Sequence, residues 1–338
     1  MSVLHSRIGW IGLGVMGLPM ARNLLKHMPQ DTQFFVYDIS DENINAFISS
    51  EPVRGFKCAS SREVAENSTI IFSMVPEGSH VRSVYLTPGT GVLAADLKEQ
   101  TLIDCSTIDT ATSLHVRAKC YEVHPEATFY DAPVSGGAIG AQKGTLTFML
   151  GCAEDDPKID LLMSLLGSMG SNIIPCGGPS FGLTAKLCNN YCSGLIAIAV
   201  SEAMNIGMAS GMDPRILANV FHTSTAQSAI CDDWCPVPGL CPEAPASKGY
   251  KGGFKVQLMK KDFSLAVDAA QRIDVQLALG AAGLRVYEQA SIDPKCADLD
   301  SRVVYRYLGG REDWQKDFPS HRPLKRDETR ALLARSQQ

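Results

Sequence analysis

Arg7-Ile8-Gly9-Trp10-Ile11-Gly12-Leu13-Gly14-Val15-Met16-Gly17-Leu18 reads as a short apolar strand, a glycine turn and the start of a helix. Gly12, Gly14 and Gly17 set out G-x-G-x-x-G in the strand–turn–helix context that gives the pattern meaning. The first glycine permits the tight turn, the second lets backbone approach a pyrophosphate, and the third lets the helix pack closely on the strand. Leu13, Val15 and Met16 fill the turn between them, and the helix N-terminus offers unpaired N–H groups and a positive dipole end to phosphates. A second apolar run, Phe34-Phe35-Val36-Tyr37, ends at Asp38. That is about twenty residues on, where a carboxylate accepts hydrogen bonds from the ribose hydroxyls of NAD. The same carboxylate repels a 2′-phosphate, and Ile39-Ser40 supply no arginine to receive one, so NAD is expected over NADP.

Downstream, strands and helices alternate. Ile70-Ile71-Phe72-Ser73-Met74 leads into Val75-Pro76-Glu77-Gly78, and Thr101-Leu102-Ile103-Asp104 leads into Cys105-Ser106-Thr107-Ile108. Both are polar or Pro/Gly strand ends, where doubly wound folds place ligand contacts. Thr128 to Asp131 forms another strand ending in Ala132-Pro133-Val134-Ser135-Gly136-Gly137. Its two glycines behind a serine expose N–H groups able to hold a carboxylate, or make a plain strand-to-helix turn. Thr145 to Leu150 and Asn172 to Pro175 read as closing strands of the same domain. The pattern predicts a parallel sheet with helices on both faces.

From Gly182 the pattern changes. Gly182 to Ser210 contains no proline and reads as one helix of about 44 Å at 1.5 Å per residue, apolar nearly all round and expected to be buried between domains. Its most apolar part, Leu187 to Ser201, is broken by Asn189, Asn190 and Glu202 and is expected to be too short and too polar for a membrane span. Helices follow at Arg215 to Phe221, Lys255 to Ile273 and Gly280 to Ala290, with a Pro/Gly/Ser-rich loop over 236–253 that is expected to be functional or mobile. The expected architecture is therefore α/β: a Rossmann-type doubly wound sheet over 1–178, then a long interdomain helix and an all-α C-terminal domain over 179–318. A polar tail, 319–338, is expected to be poorly ordered.

The 338 residues carry a net charge of −5, which argues against phosphate-contact binding of nucleic acid. Eleven scattered cysteines form no C-x-x-C pair, so reduced thiols and no metal are expected, in a reducing compartment. Only six residues precede the first strand, so no targeting peptide is expected.

A nicotinamide site needs a partner that moves a proton while the cofactor takes hydride. No histidine stands at a strand end or on the long helix with polar company, whereas Lys186 does. A lysine on an apolar helix is paired, has a lowered pKa, or snorkels to water. With a lowered pKa it can act as a general base, and Asn190, at i+4, shares its face.

These residues together resemble the β-hydroxyacid dehydrogenases from Arg7 to about Leu308. The resemblance rests on G-L-G-V-M-G at 12–17, D-A-P-V-S-G-G at 131–137, G-L-T-A-K-L-C-N-N at 182–190 and M-K-K-D-F-S-L-A at 259–266. P-V-P-G with Y-K-G-G-F points to the hydroxyisobutyrate branch. The resemblance implies Lys186 as the catalytic lysine with Asn190 beside it. Ser135, Gly136 and Gly137 would bind the substrate carboxylate, Val75, Pro76 and Thr107 would line the nicotinamide side, and Lys261 would reach cofactor or substrate. It implies oxidation of (S)-3-hydroxyisobutyrate to methylmalonate semialdehyde with NAD, a homodimer or homotetramer, no membrane partner, and a mitochondrial matrix setting with cytoplasm open. His80 stands where the family usually has asparagine and is expected on a solvated helix face. The rivals are another small acid or semialdehyde (tartronate semialdehyde, glyoxylate, succinic semialdehyde), imine reduction, which the lysine opposes, and a non-enzymatic binding descendant.

Overall fold

The first strand, β1 (Arg7–Ile11), is buried on both faces because helices cover both. It lies at the centre of a six-stranded parallel sheet in a computed structural model that describes residues 7–318. The other strands are β2 (Gln33–Tyr37), β3 (Gly55–Lys57), β4 (Ile70–Ser73), β5 (Thr101–Asp104) and β6 (Thr128–Asp131), in the spatial order β3-β2-β1-β4-β5-β6. Strand order reverses between β1 and β4, and the crevice beyond the carboxyl ends at such a point is where doubly wound sheets bind ligands. One face is covered by α1 (Gly17–His27) and α2 (Asp41–Ser50), and the other by α3 (Ser61–Glu66), α4 (Gly78–Leu86) and α5 (Thr110–Val123). On the first face Trp10 and Phe72 stack at 5.1 Å between ring centroids. On the other, Tyr85 meets Phe129 edge-on at 5.3 Å.

Two features were not read from the sequence. β3 has only three residues, Gly-Phe-Lys, too few to show a period. The expected closing strands do not extend the parallel sheet: β7 (Val134–Ser135), β8 (Leu146–Leu150) and β9 (Gly170–Pro175) form a second, three-stranded sheet in which β7 runs antiparallel to β8. The chain doubles back through α6 (Gly137–Lys143), and α7 (Ile159–Gly167) makes the crossover between β8 and β9.

The long helix, α8, spans Phe181–Ala209. It is not buried all round, and it is longer than the stretch judged too short for a membrane: by length and composition it could cross one, while a third of its most apolar window is buried. Reading only Leu187 to Ser201 truncated it at both ends, and its two asparagines lower the mean hydropathy too little to matter. The core helix of a water-soluble enzyme passes the same test.

The chain divides into two compact units, one of 1–192 with 261–280 and one of 193–260 with 281–338. Both α8 and α11 (Val256–Arg272) therefore run from one unit into the other. The second unit holds α9 (Pro214–Thr223), α10 (Ala229–Asp232), α12 (Gly280–Ile292) and α13 (Val304–Tyr307), apart from the first residue of α12. Its 236–253 loop is tied down. Tyr250 is fully buried and donates to Pro236 O (2.9 Å), and Asp300, also fully buried, accepts from Phe254 N (2.8 Å) and pairs with Arg302 (2.8 Å). Past α13, Trp314 is 3% exposed and donates to Pro238 O (2.8 Å), while Arg215 lies over its ring and donates to Phe318 O. The tail, 319–338, lies outside the described residues.

The three motif glycines meet different constraints. Gly12 has φ +93°, and a Cβ there would lie 2.3 Å from Met74 O. At Gly17 a Cβ would lie 2.0 Å from Gly12 O, whereas at Gly14 it would meet nothing within 4 Å. Gly17→Ala is therefore expected to destabilise the fold by about 1–3 kcal/mol through overpacking. Gly14→Ala is expected to leave stability within about 0.5 kcal/mol or raise it slightly. Urea unfolding midpoints of the two variants measure the difference.

Candidate active site

Lys186 lies one turn into α8, and the placement of that helix begins with Asp131 at the end of β6. Asp131 is 2% exposed; its two carboxylate oxygens accept from Ser180 N (2.7 Å) and Leu183 N (2.9 Å), capping the first turn. Close packing makes this possible: a Cβ on Gly151 or Gly182 would run into the Asp131 carboxylate. Burial pushes the Asp131 carboxyl upward against the pull of the two N–H donors.

On the next turn Lys186 and Asn190 are each 6% exposed. Lys186 Nζ donates to Asn190 Oδ1 at 3.1 Å, and Asn190 Nδ2 donates to Asp262 Oδ2 at 2.6 Å. A lysine can only donate and a carboxylate only accept, so the amide has one workable orientation. Asp262, on α11, is 2% exposed, and its other oxygen lies 3.2 Å from Lys261 Nζ but off line for a hydrogen bond. Lys261 Nζ donates instead to Thr107 O (2.7 Å) and Pro76 O (3.1 Å). A continuous polar chain thus runs Lys186–Asn190–Asp262–Lys261 and ends on the two loops that follow β4 and β5. Burial lowers the Lys186 pKa below its ordinary 10.5; Asp262 pulls it back up and Lys261 pushes it down. The result is a lysine able to exchange a proton, held by a neutral amide acceptor with a carboxylate behind it.

At the other loops, Gly14 and Val15 are exposed, with Val15 at 78%. Helix α1 has no side-chain cap on its N-terminus and no acidic residue in its first turn. The same lack of a side-chain cap holds for α4, after Pro76, and for α6, after Ser135-Gly136. By contrast Ser40, Ser60, Asp109, Asp213 and Ser228 cap α2, α3, α5, α9 and α10. Helix α7, away from these loops, is also uncapped. Open N–H groups beside an unfilled glycine are what a pyrophosphate requires, so these residues fit a dinucleotide. Asp38 stands at the end of β2 and accepts from Leu13 N (2.6 Å) and Ser40 N (2.8 Å). Gly136 and Gly137 have φ +128° and +61°, which shapes the turn behind Ser135. His80 is exposed on α4, as expected. The cysteines are free thiols, and no metal-binding group occurs among the described residues.

Asp262 and Asp131 were not singled out from sequence. For Asp262 a signal existed: it adjoins the Met259–Phe263 stripe of an amphipathic helix, 5% and 0% exposed, where a charge is out of place unless paired. For Asp131 nothing local shows that its partners lie on a helix about fifty residues on.

Comparison with known proteins agrees. Residues 7–178 match the NAD-binding domain of 6-phosphogluconate dehydrogenase, and 181–308 match the "NAD-binding of NADP-dependent 3-hydroxyisobutyrate dehydrogenase" family. A probable mitochondrial 3-hydroxyisobutyrate dehydrogenase from Dictyostelium discoideum is 42% identical over 89% of this chain and 90% of its own. An NAD-dependent L-serine dehydrogenase from Pseudomonas aeruginosa is 35% identical over 89% of this chain and 97% of its own. Among solved structures, Mycobacterium tuberculosis 3-hydroxyisobutyrate dehydrogenase with L-serine superposes with a TM-score of 0.81 at 32% identity, over 90% of this chain and 99% of that one. An NAD-binding sheet followed by a long helix and a helical region, with these relatives, defines an NAD-dependent dehydrogenase acting on a CH–OH group. The chain belongs to the 3-hydroxyisobutyrate dehydrogenase family.

The two charges beside Lys186 act in opposite directions, which gives a signed expectation. Asp262→Asn removes the anion that favours protonated Lys186, so the pH profile of kcat/KM for alcohol oxidation should shift to lower pH. Lys261→Met removes a repelling cation and should shift it to higher pH. Profiles of both variants against the parent check the pair.

Proposed function

We propose that this chain oxidises (S)-3-hydroxyisobutyrate to methylmalonate semialdehyde with NAD, with Lys186 as the general base. The buried chain of Lys186, Asn190 and Asp262 is the observation that carries the reading. Gly12 to Gly17 would hold the pyrophosphate and Asp38 the adenosine ribose, while Val75, Pro76, Thr107 and Lys261 would border the nicotinamide. NAD when bound supplies the acceptor for the hydride of the carbinol carbon. Lys186 Nζ takes the hydroxyl proton as that carbon is oxidised, and burial favours its neutral form before the transfer. Asn190 Oδ1 fixes the amine in place, and the nearby Asp262 carboxylate stabilises the ammonium that results. Ser135, Gly136 and Gly137 would fix the substrate carboxylate, so that hydride donor and acceptor meet in a reactive arrangement.

L-Serine is the second reading, favoured by the Pseudomonas relative named for it; it shares with hydroxyisobutyrate a primary alcohol beta to a carboxylate. A mitochondrial setting is supported by the name of the Dictyostelium relative. A homo-oligomer is proposed from the family resemblance.

Initial rates with NAD and NADP over hydroxyisobutyrate, 3-hydroxypropionate, glycerate, L-serine and 4-hydroxybutyrate test the reading. The expected result is an NAD-linked preference for hydroxyisobutyrate, with Lys186→Met lowering kcat by about 10²–10⁴-fold, as for loss of a general base. Equal turnover by that variant removes the catalytic assignment, and preference for another acid removes the substrate.

A further inference from the structure

Beneath the two loops that Lys261 reaches lies a second polar group that the proposed reaction does not use. Asp104, the last residue of β5, is 1% exposed. Its Oδ1 accepts three hydrogen bonds, from Ser106 Oγ (2.6 Å), Ser73 Oγ (2.7 Å) and Ser106 N (3.2 Å), while its buried Oδ2 has no partner. An ionised carboxylate has no hydrogen to give, so both serine hydroxyls must donate to it. That settles the remaining directions. Tyr85, fully buried, donates its phenol hydrogen to Ser73 Oγ (2.9 Å), and Ser106 Oγ is left free to accept from Val75 N (2.9 Å).

We propose that Asp104 is a positioning residue for the cofactor: through Ser106 it locks the loop at Val75-Pro76 to the loop at Ser106-Thr107, fixing the shape of the nicotinamide side. The proposal rests on the reading of those loops as nicotinamide-facing. Two opposite charges hold the pair of loops. The Lys261 ammonium takes the carbonyls of Pro76 and Thr107, and the Asp104 carboxylate takes the N–H and hydroxyl of Ser106, whose oxygen in turn takes the Val75 N–H. The anion is expensive to keep there. Burial, with a smaller push from Asp131, drives its carboxyl up to about 6 despite the serine donors. Buried charge is poor evidence of a stabilising role, since an apolar replacement often folds as well or better. What the charge gives in return is direction: it aligns both hydroxyls and thereby leaves an acceptor pointing at Val75 N.

Ser73 and Ser106 separate positioning from stability, because each gives Asp104 a hydroxyl donor but only Ser106 reaches a loop. NADH affinity is read by fluorescence titration of the full chain, with thermal unfolding alongside, for the parent, Ser106→Ala, Ser73→Ala and Asp104→Asn. Ser106→Ala and Asp104→Asn are expected to raise the NADH Kd about fivefold, the worth of one net hydrogen bond. Ser73→Ala is expected to change it less than about twofold while lowering the melting temperature comparably. If Asp104→Asn fails to fold, the two serine variants alone decide. Ser106→Ala binding like the parent, or Ser73→Ala weakening NADH as much as Ser106→Ala, overturns the proposal while leaving the cofactor site intact. A parent that does not bind NADH overturns the cofactor reading and the proposal together.

Discussion

A lysine almost wholly removed from water constrains everything around it. Lys186 needs acceptors for its protons, and those acceptors must be held so that none collapses onto the amine as a tight ion pair. Asn190 meets this requirement by standing between Lys186 and Asp262. The amide passes on the influence of the carboxylate without contact between opposite charges. A direct Lys–Asp pair would stabilise the ammonium more strongly and raise the pKa, which would work against proton removal near neutrality. The helix α8 must therefore present Lys186 and Asn190 on one face, Asp131 must fix where that helix begins, and α11 must deliver Asp262 to the end of the chain of bonds.

Much of this was legible in the chain itself, and the limits have physical causes. Gly12 and Gly17 announce the turn because backbone geometry and close approach admit no other residue cheaply, whereas Gly14 leaves open space beside the helix N-terminus. Lys186 and Asn190 stand out because they interrupt an apolar helix. Asp262 hides because it follows two lysines and reads as part of a solvated run. The closing strands were legible but their separate sheet was not, because strand periodicity tells which face is buried and says nothing about pairing partner or direction. The membrane argument weighed only Leu187 to Ser201, whereas the helix runs on at both ends, its interior free of proline.

The carboxylates divide the labour. Asp131 orders a helix, Asp262 sets the charge felt by a lysine, and Asp104 aligns hydroxyls. All three lie at or below 2% exposure, where an anion is retained only against a desolvation cost. Their partners differ accordingly: backbone N–H groups for Asp131, an amide for Asp262, serine hydroxyls for Asp104. The hydrogen-bond donors to each anion are neutral, so its charge is solvated with less cancellation than a hydrogen-bonded cation would bring. Lys261 Nζ lies 3.2 Å from an Asp262 oxygen yet directs its hydrogen bonds to backbone carbonyls.

The family match ends at Leu308, yet the chain beyond it is built into the second unit. Trp314 buries its ring and satisfies Pro238 O, and Arg215 spans the gap to Phe318 O. Such an addition acts as a ratchet in evolution. Once a tryptophan satisfies a turn carbonyl in this way, neighbouring residues are free to drift toward dependence on it. The segment then becomes hard to lose even if it brought no advantage when first acquired.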